Sequence, residues 1–336
     1  MKETYQNINM AGLGIYYPNN KVDNSFFIEH FAKMGIQVDH LLKSLGKEER
    51  YLDDTGEETV ISMGYKAAVL AMEKANVKPE EIDMLIFATD SPEYTCPSNA
   101  LYINGLLGTV NAHISFDINT NCTGMITAFD VASRLMDKNY FVNKALIIGG
   151  LLSSLIASNI DPVVYSIFSD SGAAIVLEKK NEDIKRGFID SGYKTDPFCK
   201  QNFVMPKAGF SQMYNPNVDI EDKKFRLDPF DTSFVPGEWV KLINTMLERN
   251  NLSAENINHF LFSQFSKPFT EQTLKAFGLS NDRQTYVGDK YGYTGVTSPF
   301  ISLHEAMETD RVKEGDYLVF VSVGAGYNVV SLLYKM

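Results

Sequence analysis

The chain is 336 residues long, 44% hydrophobic and 22% charged, apolar enough to bury a core in each of two halves and too apolar for a disordered chain. Its 31 basic and 42 acidic residues leave a formal charge of −11 at pH 7 and a pI near 5.0, which argues against whole-protein attraction to nucleic acid or an anionic membrane. An anionic ligand has to find a local basic patch.

The opening MKETYQNINM is polar and lacks the apolar stretch of a secretory signal, so a cytoplasmic protein is expected. Apolar residues at helical spacing (Ile61, Tyr65, Ala68, Val69, Met72) predict a helix over Val60 to Ala75, and Met84 to Ala88 reads as a short buried strand headed by Asp83. A strand over Ile114 to Ile118, a helix over Ile126 to Met136 and a strand over Ala145 to Ile148 follow, the alternation of an α/β protein. The longest charge-free apolar stretch, Ala145 to Ile160, is shorter than the roughly 20 residues of a membrane span and is broken by Gly149, Gly150, Ser153 and Ser154. It reads as a buried strand running into a loop. Cys96, Cys122 and Cys199 are odd in number and widely spaced, which argues against a disulfide framework and a paired-cysteine zinc site. No metal is expected.

The second half repeats the first. Ala75 to Phe87 lies over Asn250 to Phe262, with Asn76/Asn251, Glu80/Glu255, Ile82/Ile257 and Phe87/Phe262 identical. Cys122-Thr-Gly124 lies over Tyr293-Thr-Gly295, Phe129 over Phe300 and Met136 over Met307, and Leu146 to Ile148 lies over Leu318 to Phe320. The offsets of 175, 171 and 172 drift by only a few residues, the mark of a duplicated α/β half with a pseudo-twofold axis. The expected boundary falls after Glu178, in a solvated turn over 179–186, giving halves 1–178 and 179–336. Ligands in such folds collect where equivalent strand ends and helix starts converge, here the loops at Cys122, Ser263, Tyr293 and Gly324.

Cys122 lies between the strand ending near Ile118 and the helix beginning near Ile126. A thiol in the first turn of a helix faces unpaired N–H groups, which favour the thiolate, so a depressed pKa and a nucleophile are expected. Cys96 and Cys199 lack that context and read as structural.

With these residues in view, the chain resembles the β-ketoacyl-acyl carrier protein synthase III family of the thiolase-like superfamily. The resemblance rests on Gly12-Leu-Gly-Ile-Tyr-Tyr-Pro18, Gly46-Lys-Glu-Glu-Arg50, Ala88-Thr-Asp-Ser with Pro97-Ser98, Asn121-Cys-Thr-Gly124, Phe168-Ser-Asp-Ser-Gly-Ala-Ala174, Asp289-Lys-Tyr-Gly292 and Gly324-Ala-Gly326, which span nearly the whole chain. It implies a layered αβαβα fold of two duplicated halves and ping-pong acyl transfer in fatty-acid or specialised-metabolite synthesis. A primer acyl group moves from a thioester onto the cysteine, and a second thioester attacks it after decarboxylation. By resemblance Cys122 is the acylated nucleophile, and its amide with that of Ala325 forms the oxyanion hole. Acyl-CoA or acyl-carrier-protein thioesters are the implied substrates, with no separate cofactor, and a dimer is implied through the first-half sheet.

The pattern departs from the family where the second step needs a histidine and an asparagine. The His-Gln-Ala-Asn motif aligns with Ser263-Gln-Phe-Ser266 and the Gly-Asn-Thr motif with Gly292-Tyr-Thr294, so Ser263 and Tyr293 occupy the catalytic positions. His259 and His304 match neither and read as structural or surface residues. Losing two such donors cripples ordinary decarboxylative condensation, because one alone typically supplies about 10²–10³ in rate. Glu93 is a candidate base for deprotonating the second substrate. The family's tryptophan near the CoA adenine is missing, since Trp239, in the second half, reads as a core or interface aromatic. Lys275 aligns with a basic position on the carrier-facing helix, while Lys207, Lys223, Lys224 and Arg226 form another local basic cluster.

Two function classes compete. One is an acyltransferase that loads Cys122 and passes the acyl group to an acceptor needing no decarboxylation help. The other is a catalytically silent subunit that pairs with an active paralogue. A thiolase or hydroxymethylglutaryl-type synthase leaning on Glu93 is a remoter third.

Overall fold

In the computed structural model, which describes residues 4–336, two β-sheets stack with helices between them and outside each. The first half contributes β1 (Tyr5–Tyr16), α1 (Val60–Ala75), β2 (Met84–Thr89), α2 (Asn99–Leu107), β3 (Ile114–Ile118), α3 (Gly124–Lys138), β4 (Lys144–Leu151) and β5 (Ser171–Glu182). The second contributes β6 (Gly187–Thr195), α4 (Val235–Arg249), β7 (His259–Phe262), α5 (Lys267–Ala276), α6 (Ser298–Glu308), β8 (Tyr317–Gly324) and β9 (Asn328–Lys335). Strand order is β1-β5-β4-β2-β3 in the first sheet and β6-β9-β8-β7 in the second, so equivalent elements occupy equivalent places. A fifth position in the second sheet survives only as the single bridge between Phe260 and Gln284.

The layers follow from burial. Helices α3 and α6 fill the space between the sheets, where Met125, Phe129, Phe300 and Leu303 pack against Ile86, Ile147, Phe320 and Leu332. Helices α1 and α2 cover the outer face of the first sheet, and α4 and α5 that of the second. Burying one such side chain contributes roughly 1.5–3 kcal/mol, so this five-layer core outweighs the cost of centring two helices away from water. Trp239 belongs to the second outer core, 1% exposed and stacked on Phe262 at 5.4 Å.

The repeated asparagines have a backbone cause. Asn76 and Asn251 both take a left-handed conformation, with φ of 51° and 54°, directly after α1 and in the turn after α4. Asparagine tolerates that region better than other side chains.

The boundary between halves lies later than expected. Strand β5 runs through Glu182, because Lys179 and Lys180 pair in register with Ile8 and Asn7. The Lys179 ammonium is also held, donating to the Met136 and Asn139 carbonyls at 3.0 and 2.7 Å. The chain changes sheet over 183–186. Beyond β4, the apolar stretch expected to be loop forms a short helix, Ser153–Ile156, in the long connection to β5.

Candidate active site

Cys122 sits in a single 3-10 turn, Asn121–Thr123, that opens α3. Three side chains tie this turn to the tight β8–β9 connection of the other half. Asn121 Nδ2 donates to the Ala325 carbonyl at 3.0 Å, Ser322 Oγ to the Cys122 carbonyl at 2.9 Å, and Asn328 Nδ2 to Thr123 Oγ1 at 3.1 Å. Gly324 permits this approach, since a Cβ there would meet the Thr120 carbonyl oxygen at 2.9 Å.

Tyr293 enters from the matching turn of the second half, just before a 3-10 turn at Gly295–Thr297 that opens α6. Its amide donates to the Ile167 carbonyl at 2.7 Å, and its carbonyl accepts from the Ser169 amide at 3.0 Å. Gly292, with φ +66°, makes the bend, and a Cβ there would meet Arg50 Cγ at 2.8 Å. Ser263 stands directly after β7, its amide bonded to the Val321 carbonyl.

Two sets of side-chain contacts converge on the sulfur. Ser263 Oγ and the Tyr293 hydroxyl are 3.0 Å apart, and that hydroxyl faces Cys122 as a hydrogen-bond donor. On another side the thiol donates to Asp90 Oδ2 at 3.8 Å. Asp90 follows β2, and its Oδ1 is sealed from solvent without a hydrogen-bond partner. Cys122, Ser263 and Tyr293 are themselves buried, at 2%, 0% and 1% exposure. The open side of the sulfur faces an apolar pocket lined by Phe203, Phe230, Phe234, Phe265 and Phe269, with Ala325 on its wall.

Electrostatics overturn one expectation. Burial, reinforced by the Asp90 carboxylate, pushes the Cys122 thiol well above its ordinary value. The helix start favours the thiolate, yet among the described residues no cation offsets the lost hydration. The Asp90 carboxyl is itself pushed up, to about 7, by burial. Burial also drives the Tyr293 phenol far upward, so it stays protonated as a donor.

The carboxylate expectation is corrected as well. Glu93 is exposed in the loop after β2, where its amide donates to Asn99 Oδ1 at 3.0 Å, and Asp90 three residues earlier is the acid beside the sulfur. The strand directs Asp90 inward at its end before the chain turns outward. The Ala88-Thr-Asp-Ser motif contains that signal, because a strand end facing a helix start is where ligands collect.

The remaining residues are placed plainly. His259 is buried and bonded to Thr285 Oγ1 at 2.9 Å, and His304 lies 3.3 Å from the Lys74 ammonium. Lys207, Lys224 and Arg226 are paired with Asp228, Glu221 and Asp222, which neutralises most of that cluster. Lys275 is exposed on α5, beside a shallow groove that includes Pro268, Glu271 and Leu279. Among the described residues no cluster of His, Cys, Asp and Glu could hold a metal ion, and no helix is long and apolar enough to cross a membrane.

Sequence comparison agrees with this architecture. Residues 116–197 match the family profile of 3-oxoacyl-[acyl-carrier-protein (ACP)] synthase III, and residues 247–336 match that of its C-terminal part. The β-ketoacyl-[acyl-carrier-protein] synthase III of Caldanaerobacter subterraneus is 30% identical over 336 residues, covering 97% of each chain. The chain belongs to this family. Its Aliarcobacter butzleri relative is 29% identical over 328 residues, covering 96% of each. The crystal structure of 3-oxoacyl-[acyl-carrier-protein] synthase III from Aquifex aeolicus superposes with a TM-score of 0.85 at 22% identity, over 98% of this chain and 100% of that one, and shares the thiolase-like fold. As a synthase III family member the chain is an acyltransferase of condensing-enzyme type.

Proposed function

We propose that this synthase III-like acyltransferase takes an acyl group from a CoA or carrier-protein thioester onto Cys122. It then passes that group to an acceptor that needs no imidazole-assisted decarboxylation. One observation carries the reading: the sulfur lies between an aromatic pocket suited to an acyl chain and two hydroxyls, Ser263 and Tyr293, with no imidazole in contact. A hydroxyl donates to a thioester oxygen but is a poor general base at neutral pH. Acyl loading therefore fits the site, and enolate generation from a malonyl thioester fits it poorly. The amides of Cys122 and Ala325 stand as the oxyanion donors, since both residues line the pocket.

The carrier protein would dock near Lys275, an exposed cation on an otherwise acidic molecule. The partner subunit would pair along β3, a sheet edge whose residues are all only half-buried and which lies near the exposed Leu106 and Val110. A homodimer needs nothing further, and a heterodimer with a paralogue would use the same edge.

Intact-mass measurement after incubation with a panel of acyl-CoAs and acyl-carrier proteins tests the reading. A mass gain in the wild type that is absent in Cys122→Ala is expected. The elevated thiol pKa favours a second reading, a silent subunit, and absence of an adduct with every donor would establish that one instead.

A further inference from the structure

Among the described residues the thiol of Cys122 has no basic neighbour except a carboxylate, and that carboxylate has an idle oxygen. Asp90 Oδ2 accepts from the thiol at 3.8 Å, while Oδ1 is buried with no partner. A buried carboxylate oxygen without a partner destabilises the fold, so a position that only held the fold together would be better filled by an apolar side chain. Among the described residues the titratable groups facing Asp90 are Cys122 from the turn before α3 and Tyr293 from the turn before α6, and no cation acts on it.

We propose that Asp90 is a catalytic residue, the proton acceptor and donor for both halves of acyl transfer. The inference rests on Cys122 being the acylated nucleophile. In the first half the Asp90 carboxylate takes the thiol proton as sulfur attacks the thioester carbonyl. The C–S bond of the donor then breaks, and Asp90 returns the proton to the departing thiolate, releasing a free thiol. In the second half the carboxylate takes the proton of the acceptor's hydroxyl, amine or activated carbon as that atom attacks the acyl-enzyme. The Cys122–acyl bond breaks, and the same proton restores the thiol. No oxidant or further reactant enters. The carboxyl's displacement to about 7 suits both directions of transfer near neutral pH.

The test compares two reactions of the same sulfur. Acylation needs a proton relay to the leaving thiolate, whereas alkylation by iodoacetamide releases iodide and needs only thiolate. Asp90→Asn should lower the single-turnover acylation rate about 10²-fold or more. It should slow alkylation far less, because alkylation uses Asp90 only to take the thiol proton, a loss that removal of the negative neighbour partly offsets. The wild-type acylation rate should climb with pH to a plateau through about 7 and lose that limb in Asp90→Asn, and Asp90→Glu should restore part of it. Acylation of Asp90→Asn at the wild-type rate overturns the proposal, and so does an equal fall in acylation and alkylation, which would mark a packing role. Should the asparagine variant fail to fold, a wild-type acylation rate flat between about pH 5.5 and about 8 overturns it alone. A wild type that accepts no acyl group from any donor defeats the Cys122 reading itself and this proposal with it, an outcome separate from a variant that matches the wild type.

Discussion

The two turns that meet at the active site occupy equivalent places in the duplicated halves and have opposite chemistries. The Cys122 turn opens α3 and is held by the second half, through Ser322, Ala325 and Asn328. The Tyr293 turn opens α6 and is held by the first half, through Ile167 and Ser169, with Thr297 bonded to Ser171 at 2.7 Å. Each half thus grips the other's functional loop across the pseudo-twofold axis. The connections that do the gripping differ. Only residues 325–327 separate β8 from β9, which keeps that connection on the wall of the pocket that Cys122 lines, whereas the long excursion from β4 to β5 carries Phe168 into the aromatic packing around Tyr293. Duplication supplied two equivalent sockets, and the residue in each decided which holds a thiol and which a phenol.

Removing the sulfur should have the largest effect: Cys122→Ala is expected to abolish the acyl adduct, read by intact mass. Tyr293→Phe removes the donor from the opposite turn and should slow acylation by about 10²–10³ in single-turnover assays. An unchanged rate would reduce the second turn to scaffold and break the comparison. Glycines at the two bends should come next. Gly292→Ala meets both positive φ and the Arg50 side chain, and Gly324→Ala meets the Thr120 carbonyl, so each should cost about 1–3 kcal/mol in denaturant unfolding, with Gly292→Ala the larger.

A pH effect distinguishes the strands behind the turns, because His259 in β7 stands where β2 has Met84. Burial lowers the His259 pKa to about 4 from 6.5, so the unfolded chain binds more protons between those values. Its contribution is complete above pH 6.5 and is lost as pH falls towards 4, up to about 3 kcal/mol. His259→Met, restoring the first-half residue, should flatten that slope in unfolding midpoints measured on either side of the window. The smallest effect is expected at the surface. Lys275→Glu should raise KM for acyl-carrier protein only a few-fold, with acyl-CoA unaffected, as befits a rim charge. The equivalent helix α2 has no such cation and exposes Leu101 and Leu106 instead.

Much of the fold was legible because its signals are local. The helix over Val60–Ala75 and the strand over Ile114–Ile118 fall where periodicity places them, and the paired Asn76 and Asn251 reflect one backbone requirement met twice. The site was legible in part. Cys122, Ser263 and Tyr293 were singled out from motif and repeat, and the fold brings them into contact. The half boundary was misplaced because Lys179 and Lys180 look solvated in sequence, although their strand is fixed by pairing with β1.

The sequence by itself determined the duplicated α/β architecture, the family and Cys122 as the candidate for acylation, since hydrophobic period, motif spacing and internal repeat are all written along one chain. Only the tertiary structure decided the state of that thiol. The desolvation that raises the thiol, and the choice of Asp90 over Glu93 as its neighbour, depend on which groups four separate segments bring together and how much water they exclude. Those are properties of distance and enclosure, and no single stretch of residues carries them.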